Sequence, residues 1–252
     1  KRGHGAVNLH DALVQSCDVY FYTVGHRMGI DTLASYAKKL GFGMPTGLGL
    51  SREKSGLVPS TKWKLKNRKE AWLLGETISA SIGQGYNLVT PLQQANMMAA
   101  VANGGMLLKP YLVKRIEEPG GKIIKEFFPK IKGRITGNPE NMEIIRNALR
   151  DVVNGTRGTG KKSRLKDVVV SGKTGTVQVV RMKSNEELEK GEEIPYKYRD
   201  HAWFVAFAPY EKPEIAVAVL VEHGGHGGAT AAPIAQKIFK KYFQLYPPNP
   251  AA

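Results

Sequence analysis

Apolar residues recur at helical spacing through most of the first 155 positions. Leu33, Ala37 and Leu40 share one face of a helix predicted over 31–39, with Asp31 as its N-cap and Gly41 as its stop. Thr90-Pro91 with Gln93 predicts a capping box and a proline at the first helical position. Met97, Met98 and Val101 follow, and Gly104-Gly105 ends the run. Asn138-Pro139 opens a third helix with Met142, Ile145, Leu149 and Val152 in register. The pattern then changes. Segments 168–170, 174–180, 202–208 and 214–221 are rich in β-branched and aromatic residues, bounded by Gly or Pro, and predict strands. Pro209 to Pro213 would join the last two as a hairpin, and 215–221, apolar at both parities, predicts a central strand covered on both faces. A last helix over about 230–243 would offer Ile234, Ile238, Phe239 and Tyr242 to the sheet. The fold class is α+β, an antiparallel sheet flanked by helices and drawn mainly from the last third of the chain.

Composition narrows this picture. With 42% apolar and 23% charged residues in 252, the chain can bury a core and is neither disordered nor collagen-like. A single cysteine rules out an internal disulfide and any multi-cysteine zinc site. No wholly apolar run exceeds that of 215–221, which is far short of the ~20 residues a spanning helix requires. The formal charge of +15 is concentrated in 52–70, 109–134 and 157–173, each with five more basic than acidic residues, whereas 181–200 reads as a solvated loop of mixed charge. Basic stretches favour a polyanion, an anionic membrane surface or an acidic substrate. Nucleic acid is set aside, because there is no helix-turn-helix signal, no zinc-finger spacing and no aromatic interleaving.

Several motifs fail on chemistry. The run 155–163, Gly-Thr-Arg-Gly-Thr-Gly-Lys-Lys-Ser, nearly matches a phosphate-binding loop. Lys162, however, stands where a magnesium-binding hydroxyl is needed, and a helix rather than a strand precedes it. His223 and His226 in 222–228, Glu-His-Gly-Gly-His-Gly-Gly, lack a third ligand and read as a strand-to-helix turn, so no metal site is predicted. Cys17 with His10 or His26 would be a thiol and base only by coincidence of composition. Lys173-Thr174-Gly175-Thr176 is more coherent. An ammonium beside two hydroxyls on a strand binds a carboxylate, and the glycine lets a substrate backbone approach.

Three companions give that strand its meaning: Ser16-Cys17-Asp18; the segment 79–86, Ser-Ala-Ser-Ile-Gly-Gln-Gly-Tyr, running into Thr90-Pro-Leu-Gln93; and 201–209, His-Ala-Trp-Phe-Val-Ala-Phe-Ala-Pro. Together, in this order and over essentially all 252 residues, they resemble the transpeptidase domain of class B penicillin-binding proteins, most of all the elongation-type penicillin-binding protein 2 group. The resemblance implies the penicillin-binding protein and serine β-lactamase-like fold. It also implies Ser-x-x-Lys, carrying the nucleophile, a few tens of residues before Ser16. Only fifteen residues precede Ser16, and they hold no such motif. Matches at Ser35, Ser51 and Ser163 fall in a helix interior, a Gly- and Ser-rich loop and a basic approach to the strand, none of which suits a nucleophile whose own amide must be free. The expectation is that 1–252 is the C-terminal, larger part of one domain, N-terminally truncated.

For the intact enzyme the resemblance implies serine acylation by a peptidoglycan stem peptide, cross-linking by a second stem, and acylation of the same serine by β-lactams, with no cofactor. Ser16 would relay a proton to the leaving amine, Asp18 would orient the missing lysine or the substrate amide, and Lys173, Thr174 and Thr176 would hold the terminal carboxylate. The Thr176 amide would supply half of the oxyanion hole, and Gly175 the clearance. A membrane glycan polymerase and elongation-complex proteins are the implied partners, and the outer, periplasmic face of the inner membrane is the implied location. The basic segments, Lys62, Lys64 and Lys66 among them, would face anionic phospholipid and precursor. A carboxypeptidase or β-lactamase-type hydrolase, and a non-catalytic β-lactam sensor, are the competing readings.

Overall fold

The computed structural model describes residues 3–135, 137–179 and 195–248. Val180 and residues 181–194 of the mixed-charge segment lie outside the described residues. In chain order the helices are α1 (Leu9–Gln15), α2 (Asp18–Met28), α3 (Ile30–Lys39), α4 (Thr61–Arg68), α5 (Leu74–Ser81), α6 (Pro91–Ala102), α7 (Pro139–Asn154) and α8 (Gly227–Leu245). The strands are β1 (Met106–Lys109), β2 (Arg115–Glu117), β3 (Ile123–Glu126), β4 (Lys130–Arg134), β5 (Ser171–Val177), β6 (His201–Ala208) and β7 (Ile215–Val221).

The central sheet has the order β5-β6-β7, antiparallel throughout, and β6 sorts its side chains by parity. Ala202, Phe204, Ala206 and Ala208 join Val217 and Val219 under Ala231, Ala232, Ala235, Phe239 and Phe243 of α8. Val205 and Phe207 face Met98, Val101 and Ala102 of α6 and Leu149 of α7. Fully burying phenylalanines such as Phe204, Phe207 and Phe239 contributes roughly 1.5–3 kcal/mol each. Two faces are therefore covered, one by α8 and one by α6 with α7.

Three expectations for the sheet and its covering helix change. Strand β7 is covered on both faces, but among the described residues it is an edge strand and β6 is central. The 168–170 segment is not a strand; its carbonyls are fastened singly, Val169 O by the Tyr210 N–H at 2.9 Å and Val170 O by Asn154 Nδ2 at 2.8 Å. On α8, Ile234 and Ile238 are each 40% exposed. The face laid on the sheet is the alanine stripe, whose small side chains let the helix approach Phe204 closely.

The predicted capping box is present. Thr90 Oγ1 accepts from the Gln93 N–H at 3.1 Å and Gln93 Oε1 from the Thr90 N–H at 2.9 Å, while Gln93 Nε2 ties in Met44 O and Ser55 O, each at 2.8 Å. Asp31 does not cap its own helix, where Gly29 is the N-cap. Its carboxylate instead accepts from the Thr61 N–H and hydroxyl at 3.0 and 2.7 Å, anchoring the first turn of α4. Two antiparallel pairs, the hairpin β2-β3 and the pair β1-β4 that encloses it in the chain, span the second basic segment. In the first, Lys64 is 2% exposed and paired with Glu76 at 2.6 Å and Glu70 at 3.4 Å, so it is removed from any surface shared by Lys62 and Lys66.

Candidate active site

Ser16 closes α1 in the left-handed region at φ 53°, a conformation that non-glycine residues hold only against a cost. Its N–H turns back to α1 while its hydroxyl projects toward β5. Two residues on, Asp18 opens α2. Lys173, the third residue of β5, donates its ammonium to Ser16 Oγ and to Thr174 O, the latter at 3.1 Å. Residues 157 apart in sequence thus meet at one point. Burial pushes the Lys173 pKa down to about 8, with the Asp18 carboxylate acting in the opposite direction. Burial, and then Asp18, hold the Tyr22 phenol above its ordinary value.

A lysine whose folded pKa is depressed weakens the fold wherever the unfolded chain holds the proton more tightly. The weakening is full below pH ~8 and is relieved as pH rises from ~8 toward the ordinary value near 10.4. Lys173→Met is therefore expected to be more stable than wild type at pH 7 by about 1–3 kcal/mol, and the advantage should shrink by pH 10. Urea denaturation at the two pH values checks both the sign and the trend.

Ser16, Asp18, Lys173, Thr174, Gly175 and Thr176 all line one cavity of about 1020 Å³, so the sequence-predicted site residues are brought together. The Thr159 and Thr174 hydroxyls lie 2.8 Å apart, which holds the glycine-rich run 155–160 beside β5. That run folds back on the end of α7, with the Gly160 N–H donating to Val152 O at 2.9 Å. The start of α8 lies against β5 so closely that a Cβ on Gly227 would fall within van der Waals contact of Trp203 O and Gly175 O. This gives the 222–228 turn a physical reason for its glycines. His223 donates its N–H to His201 Nδ1 at 2.9 Å, and its own Nδ1 lies 3.1 Å from Arg199 O, so these rings are engaged with each other and with backbone. Among the described residues no group of three His, Cys, Asp or Glu could hold a metal. Cys17 is buried, and His10 is engaged with Asp151 at 3.0 Å and Asp11 at 3.3 Å.

Sequence reasoning missed Thr159, Gln84, Asp200 and His226 as cavity residues. Gln84 carried a signal, being flanked by Gly83 and Gly85, both at positive φ. The Ser-x-x-Lys matches do not reach the cavity lining: Ser35 is inside α3, Ser51 is in a turn, and Ser163 is fully buried with its hydroxyl on Gly160 O.

A Lys-Thr-Gly-Thr strand at the edge of an antiparallel sheet, facing a serine at a helix end, is the arrangement of the penicillin-recognising class. Residues 1–240 match the penicillin binding protein transpeptidase domain, and the chain belongs to that family. It is 39% identical over 248 residues to the peptidoglycan D,D-transpeptidase MrdA of Haemophilus influenzae, a match covering 96% of this chain and 37% of that protein. The fold is similar to that of Pseudomonas aeruginosa PBP2 in complex with WCK 5153, with TM-score 0.79, 36% identity, and 94% of this chain and 49% of that one covered. It is also similar to PBP2 in the complex between PBP2 and MreC from Helicobacter pylori, with TM-score 0.80, 33% identity, and 97% and 42% covered. The chain spans well under half the length of such curated relatives. Among the described residues no helix is long and apolar enough to cross a membrane.

Proposed function

We propose that residues 1–252 form the larger, C-terminal part of one transpeptidase domain of elongation type, completed by a nucleophile-bearing segment of the same longer protein. The observation that carries this reading is the bond between Lys173 Nζ and Ser16 Oγ on the floor of a cavity walled by Thr174, Gly175 and Thr176. In the complete enzyme a serine oxygen, giving its proton to the lysine of Ser-x-x-Lys, adds to the penultimate D-Ala carbonyl of a stem peptide. The C–N bond to the terminal D-Ala breaks, and its nitrogen takes a proton relayed through Ser16 from the buried Lys173. An amine of a second stem then attacks the ester and forms the cross-link; the proton it loses returns through Ser16 to Lys173, and the base lysine returns its proton to the freed serine oxygen. The Thr174 and Thr176 hydroxyls, with Lys173, hold the terminal carboxylate, and Asp18 orients the base lysine or the substrate amide.

The Gln84 bonds to Thr176 O and the Gln178 N–H support the oxyanion role of Thr176. They put the even-numbered backbone groups of β5 on the side away from β6, so the Thr176 N–H also faces outward, available to a developing oxyanion. The protein works at the outer face of the inner membrane, binds stem peptides and β-lactams, and acts with a membrane glycan polymerase and elongation-complex proteins. The H. pylori PBP2 and MreC complex supports the last of these. Exposed Lys62 and Lys66 face anionic lipid or precursor. The test is D-Ala release from a synthetic pentapeptide donor by the full-length protein with an amine acceptor. Transfer to the amine is expected, whereas hydrolysis alone would favour a carboxypeptidase.

A further inference from the structure

The carboxamide of Gln84 is bound to the open edge of β5 by both its atoms. Nε2 donates to Thr176 O at 3.0 Å, and Oε1 accepts from the Gln178 N–H at 3.3 Å. A donor for the carbonyl of residue 176 and an acceptor for the N–H of residue 178 are what a residue of a neighbouring strand would offer. The turn is shaped to deliver it. Gly83 and Gly85 stand at φ 80° and 72°, the Gln84 N–H donates to Ser79 O at 3.0 Å, and Asn87 Nδ2 holds Gln84 O at 3.0 Å and Ala80 O at 3.1 Å. One side chain therefore stands in for a strand residue, and it continues the cavity wall formed by Thr174, Gly175 and Thr176.

Resting on the transpeptidase reading above, we propose that Gln84 is a positioning residue that determines specificity by ending the substrate-binding edge of β5. It fixes the Thr176 carbonyl and occupies the edge beyond it. A peptide acyl donor adding antiparallel to β5 is then held by backbone pairing at Thr176 alone, and farther from its reactive carbonyl by side chains of the cavity. A carbonyl oxygen has two lone pairs. Gln84 takes one at Thr176, and the other, held in a fixed direction, receives the amide N–H of the donor residue that carries the scissile carbonyl. A donor without that N–H gains nothing from the fixed carbonyl.

The test uses the full-length protein with Gln84→Ala and Gln84→Glu, and acylation rates for benzylpenicillin, which carries an acylamino N–H, and for a carbapenem, which does not. Gln84→Ala is expected to slow benzylpenicillin about tenfold or more, the scale of one lost hydrogen bond, and the carbapenem less than about threefold. Hydrogen exchange at the Gln178 amide should accelerate by at least about tenfold in the same variant. Gln84→Glu is isosteric. Ionised, it sets a carboxylate oxygen against Thr176 O and should show the same selective loss. Protonated, it regains a donor and an acceptor, so its rate relative to wild type should rise as pH falls toward the ordinary glutamate value of about 4.3. Equal loss for both ligands, or a Gln84→Glu deficit that does not change with pH, would overturn the assignment and leave a merely structural side chain. A wild-type protein unreactive with both ligands would instead overturn the transpeptidase reading beneath it.

Discussion

Replacing Lys173 with alanine in the full-length protein is expected to slow acylation by benzylpenicillin by about 10²–10⁴-fold, the range for loss of a positioned proton-transfer group. The ammonium sits on β5, pinned by Thr174 O and Ser16 Oγ, and of these two partners the hydroxyl is the one that can pass a proton on. Burial holds its pKa at about 8, close enough to neutrality for the proton to be given up and recovered in each turnover. Lys173→Arg would keep the charge but not the function, because a guanidinium does not deprotonate and its planar fork does not fit a site built for one ammonium. Both variants should lose acylation, and Lys173→Met should do so while gaining stability. A site group that weakens the fold in order to work is the opposite of a core residue, for which stability and activity fall together.

Gly227→Ala is expected to destabilise the chain by about 3 kcal/mol or more, near the upper end for overpacking. The added methyl group would meet backbone on two strands at once, Trp203 O of β6 and the peptide of Gly175 on β5, whose nitrogen would lie 3.1 Å away. None of these is the end of a flexible side chain, so α8 must lift from the sheet or β5 must move. Either displacement passes directly to Thr174 and Thr176. The variant should melt early, and whatever remains folded should acylate slowly. Gly75→Ala is the control. It lies in α5, a Cβ there meets nothing within 4 Å, and helix propensity alone predicts a change of zero to about +1 kcal/mol in stability. Thermal denaturation of the pair separates close packing from the general effect of replacing glycine.

The chemistry of the site was more readable in the sequence than its walls. The 173–176 strand carries groups whose types imply carboxylate binding, whereas Ser16 and Asp18, 157 and 155 residues earlier, took their roles from the family resemblance, and the structure brings Ser16 to Lys173. Gln84 bonds to the backbone of residues 176 and 178 and Thr159 to the hydroxyl of Thr174, and no periodicity marks a side chain whose partner is distant in sequence. The strand order failed for a related reason. Apolar residues at both parities in 215–221 report that two faces are covered, by α6 and α8, and say nothing about whether two edges are paired. On α8 two apolar stripes compete, and bulk pointed to Ile234 and Ile238. Close approach to Phe204 selects the alanines instead. The β2-β3 hairpin was invisible because both strands are exposed along their whole length, so no alternation is imposed on them.

In the function proposed above, these residues build the carboxylate-binding and proton-relay half of a serine acylation site whose nucleophile lies outside residues 1–252. Labelling with a fluorescent penicillin, followed by mass mapping of the adduct, tests it most directly. The full-length protein should take up one penicillin per chain on a serine absent from this sequence, and the 252-residue chain alone should take up none. A stoichiometric adduct on Ser16, Ser35, Ser51, Ser163 or any other serine within 1–252 would contradict it.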